Sequence, residues 1–216
     1  MWIQGKILHQ YEALVLWKGR IGFRQFIKTK RARFGIKVFV MCNSEIEWSG
    51  YCYNFQIYYG KETSDYYVLP NVPGADELST SEKIVVHLAN SVLGQGRHIF
   101  VDNWYSSSCL AHFLLTQETL MTGTIRPNRG VPDELQREKL VNHQASFVRK
   151  DNTLIVKWSD KREVYAISIC YDSTLFVGKQ QVLPGGRKIS FKKPHMIEKY
   201  KDFMEGVDKA DQFWNP

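Results

Sequence analysis

Residues 81–125, SEKIVVHLANSVLGQGRHIFVDNWYSSSCLAHFLLTQETLMTGTI, are the stretch that decides the fold class. Between 81 and 93 the apolar residues recur at the spacing of an amphipathic helix, and 106–115 predicts a second helix with serines available as caps. The segments 98–102 and 120–125 are short and apolar, so they predict strands. The alternation of helix and strand predicts a mixed α/β sheet with helices packed on its faces.

The residues before this stretch predict strands. β-Branched and aromatic residues are concentrated at 13–17, 35–42 and 48–59, and the last two segments are candidates for a hairpin. The polar, proline-containing segment 63–79 predicts a surface loop. The sheet is therefore expected to begin with strands and to gain its helices afterwards.

The residues after 126 differ in character. They contain polar stretches and turns, three short strand patterns at 146–149, 154–158 and 164–170, and a final helical pattern. We therefore predict three parts, namely a first part of the core at 1–126, a β-rich insertion at 127–193 and a final core helix at 194–216.

The composition is that of a globular protein with a sizeable core. The chain has 216 residues, of which 44% are hydrophobic and 24% charged, which argues against a disordered or fibrous chain. It has no apolar run long enough to span a membrane, and residues 1–11 do not form a secretory signal, so we expect neither membrane contact nor export. The four cysteines show no C-x-x-C pair and no zinc-finger spacing, which predicts reduced thiols and no zinc site.

Positive charge is concentrated in one segment of the chain. The formal net charge is +7, and residues 18–37 contain only basic charges. These bases are Lys18, Arg20, Arg24, Lys28, Lys30, Arg31, Arg33 and Lys37. Such a block indicates a polyanionic partner, most often DNA or RNA, although a solvated loop or a nuclear-import signal at 28–33 has the same composition. Contacts to phosphates would give affinity without sequence selectivity.

Aromatic residues interleave with these bases. They are Trp17, Phe23, Phe26 and Phe34. Aromatic side chains can stack on unpaired bases of a nucleic acid, but they pack in the hydrophobic core more often. We therefore expect these four side chains to be packed in the core.

Three aspartates are candidates for a metal site. Asp102 follows an apolar strand, and carboxylates at the end of a sheet strand often line functional crevices. Asp208 and Asp211 share one face of the final predicted helix, with Glu205 one turn earlier. Together they could hold Mg²⁺ or Mn²⁺ for phosphoryl transfer, since both ions take oxygen ligands. The structural alternatives are a turn-capping Asp102 and a solvated acidic helix face.

Six motifs resemble the catalytic domain of piggyBac-type transposases. They are LWKGR at 16–20, FRQFIK at 23–28, FGIK at 34–37, VDNWYS at 101–106, MTGTIR at 121–126 and GVDKADQ at 206–212. They follow the order of that family, and the resemblance covers about residues 8–215. Each motif is modest alone, and it is their combination that is specific.

The resemblance implies a ribonuclease-H-like core interrupted by a β-rich insertion. Members of the family are DDE/D transposases that use two divalent metal ions to cut DNA at element ends and join it at TTAA targets. By position, Asp102 matches the second catalytic aspartate, Asp208 the third and Asp211 an additional aspartate nearby. Asp102 and Asp208 are then the implied ligands of Mg²⁺ or Mn²⁺.

The first catalytic aspartate of the family is replaced in this chain. Tyr11, followed by Glu12, stands at its position. A tyrosine side chain is neutral at pH 7, with a reference pKa of about 10, and is a poor ligand for a hard metal ion. Glu12 should point to the opposite face of its strand unless a bulge redirects it. The resemblance therefore implies a degenerate metal site with little or no cleavage of DNA.

We therefore expect a piggyBac element-derived domain that binds DNA in the nucleus and does not cut it, with a homodimer as one candidate assembly. The first alternative is an active, divalent-metal-dependent transposase whose first metal ligand has changed. The second alternative is a protein-interaction module that has kept the fold and lost DNA binding.

Overall fold

The computed structural model describes residues 7–28, 30, 33–45, 50–177, 181–182 and 188–214, with only the backbone described at 181–182, 188–189 and 205–214. The strands are β1 (Ile7–Leu16), β2 (Gln25–Phe26), β3 (Phe34–Asn43), β4 (Cys52–Ile57), β5 (His98–Val101), β6 (Leu120–Thr124), β7 (Ala145–Lys150), β8 (Thr153–Ser159), β9 (Glu163–Ser168), β10 (Leu175–Val177), β11 (Gln181–Val182), β12 (Lys188–Ile189) and β13 (Lys192–Pro194). The helices are α1 (Thr80–Ala89), α2 (Ser108–Thr116), α3 (Asp133–Arg137) and α4 (His195–Trp214).

One large mixed sheet organises the chain. Its order is β4-β3-β1-β5-β6-β9-β8-β7, and the short strand β2 also pairs with β3. The strands β1, β3 and β4 pair antiparallel, whereas β5 and β6 run parallel to β1. α2 makes the crossover that the parallel pair of β5 and β6 requires. The predicted mixed α/β sheet with flanking helices is therefore confirmed, together with the hairpin of β3 and β4.

Helices pack on both faces of the sheet. On one face, α1 shares a buried cluster with β3 and β5 that includes Leu88, Phe39 and Ile99. On the other face, the ring of Phe203 in α4 lies 4.8 Å from the ring of Phe100 in β5. α4 also contacts β1 and β6. The face to which a strand residue points therefore decides which helix it meets.

Strand β1 begins at Ile7, well before the predicted strand at 13–17. The apolar pattern misses this start because His9, Gln10 and Glu12 interrupt it. His9 and Gln10 are nevertheless fully buried, since β1 lies in the middle of the sheet between β3 and β5. Burial in the interior thus overrides the local polarity of the sequence.

Helix α1 begins at a capping box and ends early. The carboxylate of Glu82 accepts a hydrogen bond from the backbone N–H of Ser79 at 2.7 Å, which fixes the start of the helix. The helix ends at Ala89 rather than at 93, and residues 90–92 form a 3₁₀ turn. Within the described part of the chain, no helix combines the length and apolar character that crossing a membrane requires.

The strands β7, β8 and β9 of the predicted insertion belong to the same sheet as the core strands, whereas β10 pairs with β13 and β11 with β12 in two separate small sheets. β9 pairs antiparallel with β6, where Gly123 faces Ile167, and β8 and β7 continue the sheet outward. Lys157 in β8 is buried, and its ammonium group donates to the carbonyl oxygens of Gln136 and Glu138 at 3.0 and 2.6 Å. The division at 126 and 193 stays a prediction, and hydrogen bonds of the sheet cross its first boundary.

Gly123 allows β6 to approach the end of β5, and its substitution tests this packing. A Cβ atom at Gly123 would lie 2.5 Å from the carbonyl oxygen of Val101 and would also meet the hydroxyl of Ser106. We expect Gly123→Ala to lower the free energy of unfolding by about 1–3 kcal/mol, because the sheet must separate to accept the methyl group. Urea denaturation measures this change.

Gly22→Ala is the matched control, because a Cβ atom there meets nothing within 4 Å. Its effect should stay within about 0.5 kcal/mol. Equal free energies of unfolding for the two variants would contradict the packing described for Gly123.

Candidate active site and nucleic-acid interface

Asp102 follows β5, and the turn after the strand holds its carboxylate. Its Oδ1 atom accepts a hydrogen bond from the backbone N–H of Trp104 at 2.7 Å. Its carbonyl oxygen accepts from the backbone N–H groups of Tyr105 and Ser106 at 3.2 and 3.1 Å. This is a turn-capping geometry that aspartate favours. One carboxylate oxygen of Asp102 is therefore already bonded to the backbone.

The surroundings of Asp102 raise the pKa of its carboxyl group above the usual 3.8. Burial is the largest cause, and the hydrogen bond from Trp104 opposes it. The negative charge of Glu12 raises the pKa further, whereas Arg126 lowers it. Because the folded state binds this proton more tightly than the unfolded chain, the contribution of Asp102 to stability declines as the pH rises from 3.8 through its folded pKa.

Glu12 lies on the face of β1 opposite to Tyr11, as strand alternation predicts. The pairing of β1 with β3 runs in unbroken register from Leu8 opposite Asn43 to Leu16 opposite Gly35, so no bulge redirects the side chain. The charge of Glu12 nevertheless contributes to the pKa of Asp102. Glu12 therefore belongs to the electrostatic surroundings of Asp102, although it does not occupy the position of Tyr11.

The charge of Glu12 is compensated by Lys37, the last base of the predicted DNA-binding segment. The two side chains form an ion pair at 2.6 Å. The ammonium group of Lys37 also lies 4.9 Å from the ring centre of Phe39, and 5.4 Å from those of Tyr58 and Trp104. These distances allow cation–π attraction. Lys37 thus points into an aromatic cluster beside Asp102 rather than toward an external ligand.

Tyr11 is buried on the face of the sheet against which α4 packs. Its side chain belongs to a cluster with Val38, Val40 and Cys42, and the Cys42 thiol donates a hydrogen bond to its hydroxyl oxygen at 3.8 Å. The neighbouring ring of His9 lies 5.9 Å away and is parallel to it. Burial lowers the pKa of His9 to about 3, so this ring is neutral as well. Among the described side chains, the neighbours of Tyr11 in this cluster are therefore apolar or uncharged.

Helix α4 crosses the sheet toward β1. Ile197 packs against residues of β8 and β9. The hydroxyl oxygen of Tyr200 then accepts a hydrogen bond from Thr124 at the end of β6, at 3.4 Å. Phe203 next contacts Phe100 in β5. Because β1 follows β5 in the sheet, the last turns of α4 continue in the direction of β1.

Asp208 and Asp211 lie in these last turns of α4, where the backbone is helical at both positions. Their side chains, like that of Glu205, lie outside the described residues. Burial raises the pKa of Tyr200 to about 12, and the charge of Asp102 contributes to this shift, so α4 approaches Asp102 at that point. The convergence of Asp208 and Asp211 on Asp102 stays a prediction.

The described carboxylates do not fit a centre that holds two metal ions. Asp102 bonds to its own turn, Glu12 pairs with Lys37, and Tyr11 brings no charge. Among the side chains that the structure describes, no group of three or more His, Cys, Asp or Glu residues could hold a metal ion. The assignment of Asp102 and Asp208 as ligands of Mg²⁺ or Mn²⁺ therefore stays a prediction.

The remaining bases of the segment 18–37 are directed mainly to solvent. The exposed ones are Lys18, Arg20, Arg24, Lys28 and Arg33. Lys30 is half-buried, and its ammonium group donates to the carbonyl oxygen of Glu12 at 2.8 Å. Arg31 lies outside the described residues. Five of the eight predicted phosphate-binding side chains are thus available on the surface.

The aromatic residues of this segment do not all pack in the core as expected. Phe23 is half-buried, and its ring lies 6.4 Å from the ring of Tyr59. Trp17, Phe26 and Phe34 are exposed by 43%, 57% and 48%. The prediction of core packing is therefore wrong for these three residues, because they lie where the strands end and no element covers them among the described residues.

A buried polar network, which the sequence patterns do not predict, fixes the turn that carries Asp102. The hydroxyl of Ser107 donates to the carboxylate of Glu82 at 2.5 Å and accepts from the backbone of Leu110, so it caps α2. Arg129 donates to Ser81 at 2.8 Å and pairs with Glu82 at 3.5 Å. The S-x-x-E spacing of Ser79 and Glu82 is the signal that marks one end of this network.

The sheet order, the aspartate at the end of β5 and the final helix that crosses toward β1 together define a ribonuclease-H-like fold. A family model described as Transposase IS4 matches residues 4–215. The chain therefore belongs to this family of DDE-type transposases, in its piggyBac-type group.

The chain is similar to proteins that are considerably longer. It is 29% identical over 211 residues to the human piggyBac transposable element-derived protein 3, and 29% identical to the human chimeric ERCC6-PGBD3 protein. Both alignments cover 93% of this chain, but only 33% and 19% of the relatives. A cryo-EM structure of a piggyBac transposase synaptic complex with hairpin DNA matches with a TM-score of 0.76 and 28% identity, over 97% of this chain and 40% of that chain.

The charges around Asp102 can be tested by its titration. Glu12→Gln should lower the pKa of Asp102, because it removes a neighbouring negative charge, and Arg126→Gln should raise it. Carboxyl ¹³C NMR across the acid range measures both changes. Glu134→Gln, on the exposed face of α3, is the control and should leave the Asp102 titration unchanged. If the pKa of Asp102 is unchanged in Glu12→Gln, the charge of Glu12 does not act on Asp102.

Proposed function

We propose that this chain is a piggyBac transposase-derived domain that binds DNA through the backbone phosphates and does not cut or join it. Its DDE/D site has lost the first carboxylate, and its basic segment remains exposed. Because the proposed ligand is DNA, we also propose that the protein acts in the nucleus. Any Mg²⁺ or Mn²⁺ would be held weakly, by Asp102 and Asp208, without the ligand that the family has at position 11.

The observation that carries the loss of cleavage is the environment of Tyr11. The residue is only 4% exposed and packs among apolar neighbours, with a neutral histidine beside it. A phenol there cannot supply the negative charge of a bridging carboxylate at neutral pH. Displacing a reacting group by about 1 Å can slow a reaction by two orders of magnitude. The loss of a metal ligand should slow DNA cleavage at least as much.

DNA binding is supported by the exposed bases at 18–33. Five basic side chains between residues 18 and 33 are exposed, and the sequence from 18 to 37 contains no acid. The solved piggyBac structure that the chain resembles is a complex with hairpin DNA, which favours the same class of ligand here. The chemistry of the contact would be charge-assisted hydrogen bonding from guanidinium and ammonium groups to phosphate oxygens.

The second candidate function is an active transposase in which Glu12 replaces the missing aspartate. The observation that favours it is the influence of the Glu12 charge on Asp102. Its pairing with Lys37 and its direction away from Tyr11 argue against it. Calorimetric titration with Mn²⁺ separates the two functions, since an active site should bind two ions and a degenerate one should bind weakly or not at all.

DNA binding through phosphates predicts a strong dependence on salt. The affinity for a random-sequence duplex should fall steeply between about 50 and 200 mM salt. Replacing Arg24 and Arg33 by glutamine should reduce the slope of log Kd against log salt concentration by about two, since each phosphate contact contributes about one. Fluorescence anisotropy at several salt concentrations measures the slope.

Replacing Arg137 and Lys139, two bases distant in sequence from the segment, by glutamine is the control and should leave the slope unchanged. If the affinity does not depend on the salt concentration, the proposed phosphate contacts are contradicted. A salt-dependent affinity with the same slope in both double variants would place the contacts elsewhere on the protein.

The loss of cleavage predicts that an aspartate at position 11 restores activity. In a chain of full family length, Tyr11→Asp should cut element-end DNA in the presence of Mn²⁺, whereas the unmodified protein should not. Tyr11→Phe is the control, because it keeps the site neutral and should remain inactive. Circular dichroism of each variant confirms folding. If the unmodified protein cuts as fast as Tyr11→Asp, the site is not degenerate.

A further inference from the structure

Three exposed aromatic side chains lie at the end of the sheet that carries the basic segment. They are Trp17, Phe26 and Phe34, which are exposed by 43%, 57% and 48%. Large aromatic side chains bury much apolar area when they are packed, so leaving three of them in solvent forgoes considerable stabilisation. Aromatic groups that stay exposed beside charged residues typically mark a binding surface.

The three side chains lie at neighbouring ends of β1, β3 and β2 and are called here the aromatic row. Phe26 in β2 is paired with Phe34 in β3, and Leu16 in β1 is paired with Gly35. Trp17 follows directly after Leu16, one residue beyond the last pair of the second register. Directly opposed residues of antiparallel strands point to the same face of a sheet. Phe26 and Phe34 therefore point to the same face of the sheet, and Trp17 lies at the end of β1, the other neighbour of β3.

The rings in this row are held in place by their neighbours. The ring centres of Phe26 and Phe34 are 4.7 Å apart, and the guanidinium carbon of Arg24 lies 5.3 Å from the ring centre of Phe34. The indole of Trp17 lies against the backbone of Gly19, where an added Cβ atom would be 2.7 Å from the indole nitrogen. The glycine of the LWKGR motif thus makes room for the indole. These contacts restrict the rings before any ligand binds.

The charge around the row is positive. Lys18, Arg20, Arg24, Lys28 and Arg33 are exposed and lie within a few residues of the aromatic side chains. A ligand for this surface must therefore carry negative charge and present flat apolar faces. Unpaired nucleotides provide both, since the phosphates meet the bases of the protein and the nucleobases stack on its rings. An acidic peptide would match the charge, but it presents flat rings only where it also contains aromatic residues.

We propose that Trp17, Phe26 and Phe34 form a stacking platform for unpaired nucleotides of DNA. This proposal rests on the proposed DNA-binding function and extends it from phosphate contacts to nucleobases. Trp17 is six residues after Tyr11 in the chain, one residue beyond the end of β1. The platform is therefore about 20 Å from Tyr11, a distance that a few nucleotides can span.

The experiment compares two DNAs that have the same phosphates. One is a gapped duplex in which four thymidines of one strand are unpaired. The other carries four abasic tetrahydrofuran units in place of these thymidines. The whole chain should bind the thymidine DNA about tenfold more tightly, because stacking of a single base on an aromatic side chain has about this effect. Phe26→Leu and Phe34→Leu should each reduce this preference, while binding to an intact duplex stays the same.

Two further variants separate stacking from other causes. Phe34→Tyr keeps an aromatic ring and should keep the preference for the thymidine DNA. Tyr51→Leu removes a side chain that is 65% exposed but lies outside the basic segment, and it should have no effect. Equal affinity of the unmodified protein for the two gapped DNAs overturns the platform, as does an unchanged preference in the double variant Phe26→Leu, Phe34→Leu.

The outcomes also distinguish this proposal from the one on which it rests. Salt-dependent binding to intact duplex with no preference for thymidine over abasic gaps overturns the platform and leaves the proposed function standing. Failure to bind any of the three DNAs overturns both. A third outcome is that the protein shows no preference for thymidine but binds anionic phospholipid vesicles, and that the Phe26→Leu, Phe34→Leu variant loses this binding. This outcome would assign the aromatic row to a membrane surface and overturn the platform.

Discussion

The antiparallel pairing of β1 with β3 constrains the whole candidate site. It continues without a bulge from Leu8 to Leu16, so successive side chains of β1 alternate between the two faces of the sheet. Tyr11 therefore points to the face on which α4 packs, and Glu12 points to the face of α1 and α2. One additional residue in β1 would have exchanged these two directions. The register thus fixes a neutral, buried phenol at position 11, which the resemblance of the motifs assigns to the first aspartate of the family.

The carboxylates that remain in the described part of the site are balanced by cations of the protein itself. Lys37 pairs with Glu12 inside an aromatic cluster, and Arg126 lowers the pKa of Asp102 against the effect of burial. The turn of Asp102 is further fixed by hydrogen bonds to its own backbone. A metal ion at this place would have to compete with these existing partners, which limits its affinity.

Much of the fold could be predicted from the sequence, because burial of one helix face leaves a regular apolar pattern in residues 81–125. Three features could not be predicted. His9 is polar yet buried, because β1 occupies the centre of the sheet. Phe26 and Phe34 are apolar yet exposed, because they lie at the end of the sheet. The inward direction of Lys37 depends on aromatic partners from three separate segments, and only the tertiary structure brings those together.

The central claim is that position 11 no longer helps to hold metal ions, and anomalous diffraction tests it most directly. Crystals of this chain, soaked with Mn²⁺ and measured at the manganese absorption edge, should show no pair of manganese ions between Asp102 and α4. Two anomalous peaks about 3.5–4 Å apart at that place, with Glu12 released from Lys37 to bind one of them, would contradict the account.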